Sequence, residues 1–137
     1  METIFEYRQP KGPDGQKCND DCMIRAVCNA TDKPYSEVHQ IMYKHGWRAS
    51  RRNSKNGFEY QVTKTLDELG FKWERISFPA VKGQRRMTAR QLAKDEPNAR
   101  YVLRVSKHLA ALSFGKLLDT WDCSTKCVYF AWRVSRK

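Results

Sequence analysis

The sequence predicts an α+β fold, a helical N-terminal half laid against a C-terminal antiparallel β-sheet. Apolar residues recur at helical spacing in three segments between residues 20 and 70, and from residue 71 onward the pattern changes to strands rich in β-branched and aromatic side chains. Helices first and strands second is the order of an α+β domain rather than of alternating βα units. A length of 137 residues is enough for one core and short for two, so residues 1–137 are expected to form a single domain.

Each element has a local reason. The segment IFEYRQ alternates as a short strand, and PKGPDGQK after it is rich in Pro and Gly, which mark a loop. Met23, Ala26, Val27 and Ala30 then share a helix face. Asp20 or Asp21 is placed to cap that helix, because a carboxylate there can accept from the free amides of the first turn. A second helix starts near Pro34, carries Val38, Ile41 and Met42 on one side, and ends at His45 and Gly46. A third covers GFEYQVTKTLDELG, with Phe58, Val62, Leu66 and Leu69 in register and Gly70 closing it. FKWERISF alternates as a strand. In MTARQLAKDEP, Thr88 and Gln91 form a capping-box pattern for a short helix that must stop by Pro97. ARYVLRVS, HLAALS with KLLDTWD beyond a Phe-Gly turn, and CVYFAWRVS complete the sheet.

Composition narrows the function classes. A hydrophobic content of 40% argues against disorder, no apolar run is long enough to cross a bilayer, and METIFEYRQP lacks the pattern of a signal peptide. A monomeric cytoplasmic protein without membrane association is expected. Five cysteines in such a compartment point to reactive, metal-bound or buried thiols rather than to disulfides. The net charge is +11, with much of the excess in two clusters, residues 48–55 and 82–90. That field suits an acidic partner or nucleic acid, although solvated loops account for it equally well.

The stretch NDDCMIRAVCNAT puts Cys22 in the first turn of a helix, where free amides and the positive dipole end favour a thiolate. A histidine must also reach it. His39 and His45 lie on the second helix and read as surface or core residues, whereas His108 opens the strand HLAALS. With Phe114 and Gly115 as a two-residue turn, Ala110 opposes Asp119 and His108 opposes Trp121. Asp119 is then diagonal to His108 on the same face, within reach of its ring. A loop longer by one residue would put Asp122 opposite His108 instead. An oxyanion hole would need a side-chain donor beside the Cys22 amide, for which Gln16 and Asn19 are candidates, as each is also for a plain loop residue.

NDDCMIRAVCNAT, followed by ARYVLRVSKHLAALSFGKLLDTWD, resembles the small papain-like cysteine peptidases encoded in bacteriophage and bacterial genomes. In that group NDCxxRAxxxAT carries the nucleophile, and GxYxxxxxxHxxAxxxGxxxDTW carries the histidine and the acid. The resemblance implies Cys22 as nucleophile, His108 as general base and acid, Asp119 as orienting acid, no cofactor, and a protein, peptide or cell-wall peptide as substrate. Ala99, Lys107 and Phe114 depart from it, standing where Gly, Gly and Asp are expected.

Two other readings stay open. Cys18, Cys22, Cys123 and Cys127 form two CxxxC pairs that could hold a structural zinc. A basic binding module without catalysis could use Tyr129, Phe130 and Trp132 of the last strand to stack bases, although the same residues suit a core.

Overall fold

The computed structural model describes residues 4–10 and 21–137. The elements run β1 (Phe5–Tyr7), α1 (Cys22–Thr31), α2 (Tyr35–Lys44), a 3-10 turn at Arg51–Asn53, α3 (Gly57–Glu68), β2 (Phe71–Ser77), α4 (Ala89–Asp95), β3 (Arg100–Val105), β4 (His108–Ser113), β5 (Lys116–Asp119) and β6 (Phe130–Arg136). The molecule is α+β, with a six-stranded sheet in the order β1-β5-β4-β3-β6-β2. The sheet is mixed rather than antiparallel, because β1 runs parallel to β5 with Phe5 opposite Leu117. Residues 5 to 7 lie too far from β5 in the chain for hairpin logic to reach them. Among the described residues no helix is long and apolar enough to cross a membrane.

Alternation along the central strands builds a core on each face. Val102, Leu109, Ala111, Leu118 and Trp132 join α1, α2 and α3 in one cluster. Tyr101, Leu103, Ala110, Leu112 and Leu117 join α4 in the other. Trp132 is fully buried, which removes it from any base-stacking surface, while Tyr129 is 39% exposed. β2 is an edge strand, so most of its side chains are exposed despite their alternating chemistry.

The turns explain the departures from the expected pattern. Phe114 and Gly115 both have positive φ (49° and 80°), as a primed two-residue hairpin turn demands, and the ladder pairs Ala111 with Leu118. An exposed Phe is a strained choice there; the Arg100 guanidinium lies 5.0 Å from its ring centre and offsets part of that cost. Lys107, in the turn between β3 and β4, has φ 54°, which is why a glycine suits that position. Ala99 carries no such requirement. Gly46 does: a Cβ there would come within 2.5 Å of the Lys55 carbonyl oxygen.

The capping expectations divide. Thr88 and Gln91 form the reciprocal capping box of α4. Asp21 is the N-terminal neighbour of α1 but makes no side-chain cap. Its carboxylate, fully buried, instead accepts from the Tyr35 hydroxyl at 2.7 Å and pairs with Arg25 Nε at 2.9 Å. Asp20 lies outside the described residues. The last strand begins at Phe130 rather than Cys127, because Val128 N–H donates to Met87 and Cys127 bridges to Thr88.

Candidate active site

Antiparallel pairing brings three strand ends together: the C-terminus of β3, the N-terminus of β4 and the C-terminus of β5. The N-terminus of α1 meets them there, since α1 packs along β4. This places Cys22, His108 and Asp119 in one cluster. His108 is 9% exposed and Asp119 4%, and His108 Nε2 lies 2.5 Å from Asp119 Oδ2. The thiol of Cys22 hydrogen-bonds to the same ring and to the Leu109 backbone. With Nε2 engaged by Asp119, Nδ1 is the ring nitrogen left for the thiol.

The electrostatics follow from that geometry. Burial pushes the Cys22 thiol up, but the hydrogen bonds from His108 and Leu109 and the positive charges of His108 and Arg25 together hold it below its ordinary value of 9.0. Burial pulls His108 down, and Asp119 and Cys22 overcome it, raising the ring to about 9. The ring therefore carries its proton at neutral pH, and its charge favours the thiolate form of Cys22, with the titration belonging to the pair. Cys28 and Cys123 differ: burial first and nearby carboxylates second push them up to about 12.

Neighbouring groups hold the acid in place. The Thr120 N–H donates to Asp119 Oδ1 at 2.7 Å, and Arg25 Nη1 donates to the Thr120 hydroxyl at 3.0 Å. Arg25 also pairs with buried Asp21, so a connected chain links the helix that carries Cys22 to the strand that carries Asp119. Trp121 packs against the His108 ring at 5.0 Å between centres and is 42% exposed, covering the ring from solvent. The DTW stretch pointed to Asp119; the roles of Thr120, Trp121 and Arg25 needed the fold.

Other candidate residues fall elsewhere. Asp122 accepts from the Ser124 backbone N–H at 2.9 Å; the Ser124 side chain first and this backbone contact second hold its carboxyl below the usual range, and the turn replaces the predicted alternative pairing with His108. His45 lies 2.7 Å from Glu68, and His39 stacks between Tyr35 and Tyr43. Gln16, Asn19 and Cys18 lie outside the described residues.

The four-cysteine zinc set does not assemble among the described residues. Cys22 faces His108 and Cys123 faces Asp119, with its Sγ 4.0 Å from Oδ2. The group of metal-type donors that does converge is His108, Asp119 and Cys123, whose ligand atoms lie within 4.8 Å of one another. A soft divalent ion there would need the Cys123 proton removed and the His108–Asp119 hydrogen bond broken, so these residues fit a hydrogen-bonded pair better than a resident metal. Comparison with family models, curated proteins and solved structures returned no match to this chain.

Proposed function

We propose that the chain is a papain-like thiol hydrolase that cleaves an amide or isopeptide bond. The observation that carries this reading is the chain from a half-buried helix-terminal thiol to the buried His108–Asp119 pair, with His108 Nε2 at 2.5 Å from the carboxylate. In the first step the Cys22 thiolate attacks the carbonyl carbon. The oxyanion that forms faces the Cys22 N–H, one of the first-turn amides that have no intrahelical acceptor. Gln16 or Asn19 is the expected second donor.

His108 then gives its Nδ1 proton to the leaving amine, the C–N bond breaks, and a thioester remains on Cys22. Water loses a proton to His108 as it attacks the thioester, and the thiolate departs with the acid released. Asp119 stays ionised throughout and stabilises the imidazolium. The test is a screen of labelled peptides, ubiquitin-like conjugates and cell-wall fragments with wild type and Cys22→Ser. Hydrolysis of one class that disappears in Cys22→Ser supports the reading. Cleavage that survives Cys22→Ser would refute it.

A further inference from the structure

We propose that the substrate carries an acidic segment, bound across the ends of β3, β6 and β2 by Arg104 over an aromatic floor of Phe58 and Phe130. This substrate class rests on the thiol-hydrolase reading for its chemical use, but the binding surface stands on its own geometry.

The register builds the surface directly beside the thiol. The Leu109 backbone that hydrogen-bonds to Cys22 belongs to the residue paired with Arg104; Arg104 pairs with Phe130, and Phe130 pairs with Ser77. Three neighbouring strand steps of about 4.8 Å carry the row roughly 14 Å from β4, the length of about four residues of an extended peptide. Cys22, Phe58 and Phe130 are all partly buried against the rim of the same core cluster, so the row and the thiol share one face of the sheet.

The chemistry of the row selects an anion. Phe58 and Phe130 stack at 6.2 Å; Arg104 lies over Phe58 at 4.8 Å and Arg75 over Phe130 at 4.0 Å. Arg75 is already engaged, paired with Glu59 at 2.8 Å and donating to the Ser77 hydroxyl at 2.7 Å. Arg104 has no carboxylate or hydrogen-bond acceptor among the described residues, although its side chain is half-buried. Exposed Lys107 adds a further cation in the turn before His108. A half-buried, pre-stacked guanidinium without a counter-ion is set for bidentate contact with a carboxylate. The flat rings beneath favour the extended backbone of a peptide.

The experiment measures binding in the Cys22→Ser protein by fluorescence anisotropy, with a labelled triglutamyl peptide, its triglutamine counterpart and a single-stranded oligothymidylate as probes. The glutamate peptide should bind about ten-fold more tightly than the glutamine peptide, as expected for a charge-assisted contact, and Arg104→Gln should erase the difference. Arg136→Gln removes the same charge about 20 Å along β6 and should leave the difference within about two-fold. Equal binding of the two peptides, or an equal loss in Arg136→Gln, would overturn the proposal. Tighter binding of the oligonucleotide, lost with Arg104→Gln, would overturn it in favour of nucleic acid. Slow Cys22 alkylation in the wild type would count against the hydrolase reading while leaving the binding result intact.

Discussion

Asp119→Asn is the perturbation with the clearest arithmetic. It exchanges the carboxylate that accepts from His108 Nε2 for an amide of nearly the same shape. Burial disfavours the charged ring, and Asp119 leads the groups that overcome it, so the ring is raised from 6.5 to about 9. That rise corresponds to roughly 3 kcal/mol in favour of the imidazolium, at ~1.4 kcal/mol per unit. With the anion gone, burial is opposed by Cys22 alone and the ring loses its proton at lower pH. The thiol in turn loses the hydrogen bond and the charge that hold it down, and its thiolate fraction falls. Iodoacetamide alkylation of Cys22, followed by peptide mass across pH 5 to 10, reads this directly. Wild type should label fast near neutral pH; Asp119→Asn should label about ten-fold more slowly there and recover only in alkaline solution. Asp122→Asn should leave the profile unchanged, because its carboxylate serves the Ser124 turn. A wild-type profile in Asp119→Asn, or a shifted one in Asp122→Asn, would refute the reasoning.

Three further outcomes are expected. His108, raised from 6.5 to about 9, contributes stability that is full below about pH 6.5 and lost as pH rises through about 9, whereas Cys22, lowered from 9.0, contributes in the opposite sense, so the pH dependences of the pair partly cancel. Cys22→Ala removes the compensating thiol. Its His108 contribution should be full below about pH 6.5 and fall as pH rises through the raised value of the ring, which urea midpoints at low and high pH will show. Tyr35→Phe leaves one oxygen of buried Asp21 without its hydroxyl donor and should cost about 1–3 kcal/mol by urea unfolding. Lys107→Gly relieves a left-handed backbone and should stabilise by about 0.5–1 kcal/mol, read as a raised melting temperature with Cys22 alkylation unchanged.

Local chemistry made much of the site legible. The Phe-Gly turn set the β4–β5 register, and that register placed Asp119 beside His108 from residue spacing alone. The helical period put Cys22 in the first turn of α1, and Thr88 with Gln91 announced α4. What stayed hidden depends on contacts between distant segments. Asp21 looked like a cap because capping is a local competition, and Tyr35 and Arg25, packed against it in the fold, win its oxygens instead. Cys123 read as half of a zinc pair by spacing, whereas the bend after β5 turns it toward Asp119. The parallel pairing of β1 and the row of Arg104, Phe58 and Phe130 likewise join residues that no short window contains.

The most direct test of the central claim is trapping of the covalent intermediate. Wild type, Cys22→Ser and His108→Ala would be mixed with an activated peptide ester at mildly acidic pH and followed by intact and peptide mass. A Cys22 nucleophile served by His108 should give a single acyl adduct on Cys22 of the wild type, formed in a burst and released by water, with no adduct in Cys22→Ser and slow formation and release in His108→Ala. Adducts spread over several cysteines, or an adduct on Cys22 that forms and persists equally in His108→Ala, would contradict it.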